Sequence, residues 1–187
     1  LEVRVQDLNA LIAEMAPLLR ASAGSAVTLE MALSEGELAA PLDAAGLSNV
    51  VLNLVLNARD AMKDNAAERR IVLRTRPEAG MAVLELADNG CGMSEEVRAR
   101  ALEPFFTTKE PGKGTGLGLA MVQGYAAQLG GSVAIDSEPG RGTTFTLRLP
   151  LAGAPARSSA PDAPAPQAPA VPGQRLRILV VDDEAEL

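Results

Sequence analysis

The chain of 187 residues contains no histidine and no tryptophan, one cysteine, and three Phe and one Tyr as its only aromatic residues. Each absence narrows the chemistry. A reaction that needs a histidine must find it outside these residues. A nucleic-acid surface needs clustered Lys and Arg with aromatics for stacking, and the missing Trp and a net charge of -7 argue against one. Cys91 cannot form an intramolecular disulfide, for which a reducing cytoplasm is the simplest setting. A lone cysteine is expected to act as a small core hydrophobe. No apolar run reaches the roughly 18 residues that a membrane-spanning helix needs. Asn53 and Asn57 interrupt the best candidate, and Leu1 begins no signal peptide, so no membrane contact is expected of these residues. The absent initiator Met and the end at Leu187 suggest a fragment of a larger protein.

The length suits one domain, typically about 100–150 residues, with an appendage. Leu8, Leu11, Ile12, Met15, Leu18 and Leu19 recur at helical intervals behind a capping Asp7, which predicts a helix over 8–20. Val27, Leu29, Met31 and Leu33 alternate as in a half-buried strand. Asp43 is placed to cap a helix over about 44–63. Strands follow at 70–76 and 81–87, a short helix after Ser94, a helix at 117–129, and strands at 132–138 and 142–149 joined by Glu138-Pro139-Gly140-Arg141-Gly142. This order predicts an α+β fold, a two-layer α/β sandwich with a mostly antiparallel sheet and helices on one face. Residues 152–174 are rich in Ala and Pro without apolar periodicity, and read as an extended linker.

Within the helix expected at 44–63, Asn53 and Asn57 share one face, opposite Leu47, Val50, Val51, Leu54 and Val55. Two carboxamides in the most apolar stretch of the chain require partners: either backbone groups or a site that they line. Further on come Asp88-Asn89-Gly90-Cys91-Gly92, Pro104-Phe105-Phe106-Thr107-Thr108-Lys109, and Gly112-Lys113-Gly114-Thr115-Gly116-Leu117-Gly118-Leu119. Taken alone, the first of these could be a plain reversing turn. In this order and spacing, the four motifs resemble the N, first glycine, F and second glycine boxes of sensor histidine kinases, which share the GHKL ATP-binding fold. The resemblance covers roughly residues 8–150.

That resemblance implies Mg-ATP as ligand. Asn57 would supply an oxygen to magnesium, with Asn53 one turn away near the phosphates. Asp88 would accept a hydrogen bond from the adenine amino group, with Thr143 nearby, while Gly90 and Gly92 let backbone approach the base. Gly112, Gly114, Gly116 and Gly118 suit a lid whose amides approach phosphates, with Thr115 and Leu117 in the same loop and the following helix N-terminus adding favourable charge. Lys109 and Lys113 would meet β- or γ-phosphate oxygens, the alternative being solvated charges. Phe105 and Phe106 serve either as core or as lid anchors. Many relatives carry lysine three residues after the second asparagine, but here stands Asp60; Asn-Ala-Arg-Asp-Ala-Met resembles nitrogen-regulator and hybrid kinases. The adenine face then falls to apolar residues such as Met93 and Leu119, and the direction of Arg59 stays open.

Gyrase-type and chaperone-type ATPases carry a glutamate base where this chain has Asn53, which cannot accept a proton. Phosphoryl transfer to a protein acceptor is therefore favoured over hydrolysis. Lacking histidine, the chain would donate to a dimerisation hairpin outside it. Leu176-Arg177-Ile178-Leu179-Val180-Val181-Asp182-Asp183 resembles the first strand of a receiver domain, which would make the parent a hybrid kinase with its own or a separate receiver as partner. The expected layout is a catalytic domain over 1–151, the linker, and a truncated receiver over 175–187, in the cytoplasm even if the parent is anchored to a membrane. Two rivals stay open, a nucleotide-sensing or docking module without kinase activity and a gyrase-like ATP-driven switch.

Overall fold

A computed structural model of the chain describes residues 2–63, 68–109 and 114–153. Gly112, Lys113, the linker from residue 154 onward and the receiver-like segment lie outside the described residues. All described residues belong to the compact unit Leu1–Ala156.

Asp7 caps α1 (Leu8–Ala23) by accepting from the Asn9 amide, and Asp43 caps α2 (Ala44–Ala61) by accepting from the Gly46 amide at 3.0 Å. Both satisfy amides that a helix start leaves without partners. The first helix runs three residues beyond its predicted end at Arg20, and Pro17 lies within it. Around these helices fold β1 (Arg4–Asp7), β2 (Val27–Ala32), β3 (Ala39–Leu42), β4 (Arg69–Glu78), β5 (Met81–Asp88), α3 (Glu95–Arg100), α4 (Gly118–Gln128), β6 (Ser132–Glu138) and β7 (Gly142–Pro150). Strands β1 and β3 pair as a small antiparallel ribbon that the sequence reading did not contain.

The main sheet has the order β2-β4-β5-β7-β6, with β2 parallel to β4 and every other pair antiparallel. Its two faces differ because successive strand residues point to opposite sides. One face presents Leu29, Ile71, Leu73, Leu84, Leu86, Phe145 and Leu147 to the core shared with Leu8, Ile12 and Leu19 of α1, Leu47, Val51, Leu54 and Val55 of α2, and Val122 and Tyr125 of α4. The other carries charged side chains, with Arg70 to Glu30 at 2.8 Å and Arg76 to Glu85 at 2.6 Å. An antiparallel-rich sheet with one packed and one solvated face is the expected two-layer sandwich. Each fully buried leucine contributes on the order of 1.5–3 kcal/mol by burial. Tyr125 fastens α4 to α2 by donating its hydroxyl to the Asp43 carbonyl at 3.1 Å. The sheet and the α1 contact thus leave one lateral stripe of α2 for other work.

Candidate functional site

That stripe is Asn53, Asn57, Asp60 and Ala61, spaced by four, three and one, so that they follow one another down one side of the helix. All four are partly buried. Three separate segments meet it. At the upper end α4 starts against Asn53, where a Cβ on Gly118 would stand 2.7 Å from both amide heteroatoms. One turn on, Lys109 Nζ donates to Asn57 Oδ1 at 3.4 Å and to Asp60 Oδ2 at 2.8 Å. At the last turn, the Cys91 amide donates to the Ala61 carbonyl at 3.0 Å, and a Cβ on Gly90 would meet Ala61 Cβ at 2.8 Å. The residues singled out in four stretches of sequence therefore converge on one helix face.

Asp88 closes β5 on the inner face of the sheet, 8% exposed. Opposite it in register stands Thr143 of β7, and opposite Thr143 stands Ser137 of β6. Asp88 Oδ1 accepts from the Gly90 amide at 2.8 Å. Burial pushes the carboxyl up to about 6, only partly offset by backbone hydrogen bonds from Gly90 and Thr143. Ser137 was not identified from sequence. Its Oγ accepts from the Met93 amide at 2.9 Å and lies 2.9 Å from Thr143 Oγ1, so it ties the turn after β5 to the end of the sheet. The turn hugs that end closely. Gly92 has φ +67°, and a Cβ there would fall 2.0 Å from the Glu138 carbonyl oxygen, a position that only glycine fills. Met93 and Leu119 are partly buried and pack against the core.

Beside Ala61 on the same turn of α2, Asp60 is surrounded by cations. Burial tends to raise its carboxyl, but the hydrogen bond and charge of Lys109, with hydrogen bonds from Arg59 and Lys63, outweigh it and bring the group down to about 2. Gly114 lies beside Thr107 and Lys109, Thr115 Oγ1 accepts from the Leu117 amide at 3.4 Å, and the Gly116 carbonyl accepts from the Phe105 amide at 2.9 Å. The motif containing Lys109 and the glycine loop are thereby stitched together. Phe105 is 76% exposed with φ 67°, so it is no core residue, whereas Phe106 is half-buried beneath the Arg100 guanidinium at 4.3 Å. Arg59 bridges the stripe and α1, donating from Nη1 to the Ser22 carbonyl at 3.1 Å and from Nη2 to Asp60 Oδ1 at 3.2 Å.

The expectation for Cys91 fails. Its backbone is pinned between Ala61 and the Gly140 amide, which turns the thiol outward, and the residue is exposed instead of filling the core. A cleft of about 280 Å³ between α2 and α4 reaches Asn53, lined also by Asn49, Met121 and Tyr125. A larger hollow of about 460 Å³ beside Arg20 and Val27 contains no motif residue, and the chemistry favours the stripe. Among the described residues no group of three or more His, Cys, Asp or Glu could hold a metal. A metal here would need oxygens from a bound anion as well as from Asn57. No helix of the described residues is long and apolar enough to cross a membrane.

The model of the histidine kinase-, DNA gyrase B-, and HSP90-like ATPase family matches residues 42–153, which contain every part of this site. The sensor kinase CckA of Brucella abortus is 39% identical over 165 residues, 80% of this chain and 17% of that protein. Among solved structures, ShkA in complex with AMPPNP superimposes with a TM-score of 0.69 at 27% identity, covering 81% of this chain and 31% of that one. The mycobacterial sensor histidine kinase MprB gives 0.67 at 25% identity, covering 80% of this chain and 97% of that one. The chain spans less than a third of the length of the curated relatives it matches first. With its motifs on one helix face and its relatives among sensor histidine kinases, the chain belongs to the histidine kinase-, DNA gyrase B-, and HSP90-like ATPase family.

Proposed function

We propose that this domain binds Mg-ATP and donates the γ-phosphate to a histidine on a dimerisation hairpin outside the sequence, as one step of a two-component phosphorelay. The observation that carries the reading is the convergence of Gly118, Lys109 and Gly90 on Asn53, Asn57 and Ala61 of one helix. AMPPNP, bound by ShkA, is an ATP analogue, which supports the same ligand here.

In this reading Asp88 accepts from the adenine amino group, Thr143 stands beside it, and Gly90 and Gly92 admit the base to close range. Met93 and Leu119 offer the apolar face. Asn53, Lys109 and Lys113, with the backbone of Gly114, Thr115, Gly116, Leu117 and Gly118, serve the phosphates, aided by the positive end of α4. Asn57 would hold magnesium through its amide oxygen, with phosphate oxygens and water completing the shell, and the ion would neutralise phosphate charge. An imidazole nitrogen attacks the γ-phosphorus, the bond to the β–γ bridging oxygen breaks, and ADP leaves. Because Asn53 cannot take a proton, the base must come from the acceptor side. Residues 1–151 are read as the catalytic domain, 152–174 as a linker, and 175–187 as a segment resembling the start of a receiver. The site works in the cytoplasm, whatever anchor the parent carries.

The test is titration with ATP and GTP, with and without magnesium, beside Asp88→Asn and Asn57→Ala. Magnesium-dependent preference for ATP, lost in both variants, is expected, followed by transfer to a supplied histidine hairpin. Binding indifferent to both substitutions would leave a docking module instead.

A further inference from the structure

The geometry points to Asp60 as a positioning residue for Lys109, holding its ammonium over Asn57 so that the remaining N–H addresses the terminal phosphate of a bound nucleoside triphosphate. This rests on the nucleotide reading above. An acid at the phosphate end of such a site is at first sight misplaced, since it would repel the ligand. Its surroundings resolve the conflict.

The two carboxylate oxygens of Asp60 are divided between partners. Oδ1 receives Arg59 Nη2 at 3.2 Å and Lys63 Nζ at 3.3 Å, which leaves Oδ2 for Lys109 Nζ at 2.8 Å. Arg59 is itself fixed on the Ser22 carbonyl of α1 at 3.1 Å. An anchor therefore runs from α1 through Arg59 and Asp60 to Lys109, which belongs to a segment 49 residues further along the chain. The Asp60 side chain is 18% exposed, so it is shielded where a free surface pair would not be.

An ammonium has three N–H donors on a flexible stem, and its direction is set only by what it touches. Two donors of Lys109 go to Asn57 Oδ1 and Asp60 Oδ2, both on the stripe of α2. The third has no partner among the described residues. It is the one available to a phosphate oxygen; with magnesium on Asn57 Oδ1, as proposed above, the 2.8 Å bond to Asp60 Oδ2 is the contact that still aims the ammonium.

The measurement is the affinity of the full chain for Mg-ATP and Mg-ADP, in the wild type, Asp60→Asn, Asp60→Glu, Lys109→Met and Asp60→Asn with Lys109→Met. Asp60→Asn keeps the shape and removes the charge. It should lower the preference for ATP over ADP about tenfold, the size of one charge-assisted hydrogen bond, and leave ADP affinity in place. Lys109→Met should lower the preference at least as far, the double variant no further than Lys109→Met alone, and Asp60→Glu should recover part of the preference. A merely structural aspartate would weaken both nucleotides together, and that result, or an unchanged preference in Asp60→Asn, overturns the assignment. A wild type that binds neither nucleotide overturns the nucleotide reading itself, and the role of Asp60 with it.

Discussion

At the scale of single residues the site holds two carboxylates in opposite states. Asp88 is raised by burial, Asp60 lowered by its ring of cations. For Asp88 the folded value of about 6 lies above its ordinary 3.8, so the folded chain retains a proton that the unfolded chain has lost. Stability from this group is present below pH 3.8 and declines as pH rises through about 6. We expect wild type to lose up to roughly 3 kcal/mol across that window relative to Asp88→Asn, measured by urea denaturation at successive pH values. ATP affinity should follow the opposite course, rising with ionisation of Asp88 and staying flat in the variant. The amide pair, Asp88 and Lys109 could be picked out of the sequence because residue type and order carried them. Ser137 escaped notice because it sits between Asp136 and Glu138, where a serine reads as surface. The phase of Val133 and Ile135, four and two residues before it, places it on the inner face. The role of Asp60 was hidden too, since no local pattern tells that a lysine 49 residues away will close on it.

At the scale of elements, most of the fold was legible, because capping acids mark the starts of the long helices and apolar periods their course. Asp7, Asp43 and Ser94 each cap the helix that follows them. The β1–β3 ribbon was not legible. Its strands are four residues long, and Ala39-Ala40-Pro41-Leu42 shows no alternation that could announce pairing. The cap of α2 matters beyond local stability, since the site stripe and the Tyr125 anchor of α4 both hang on that helix. Replacing Asp43 by Ala should cost about 1 kcal/mol, seen as a lower denaturation midpoint with unchanged slope. Leu54→Ala, at a fully packed position on the opposite face of α2, should cost about 2–5 kcal/mol in the same experiment.

At the scale of the whole molecule, the core of the described residues runs no further than Leu151. A chain ending at residue 153 should therefore melt at the same temperature as the full chain and bind ATP equally well, by calorimetry and titration. The arrangement on α2 has a further consequence. Asn53 and Ala61 are eight residues apart, which on a helix rising about 1.5 Å per residue is about 12 Å. The turn after Asp88 docks at one mark of this rod and the start of α4 at the other. The rod is a ruler: the spacing between the two docked segments is set by the helix and by neither loop. That spacing is thereby assigned to the longest helix of the described residues.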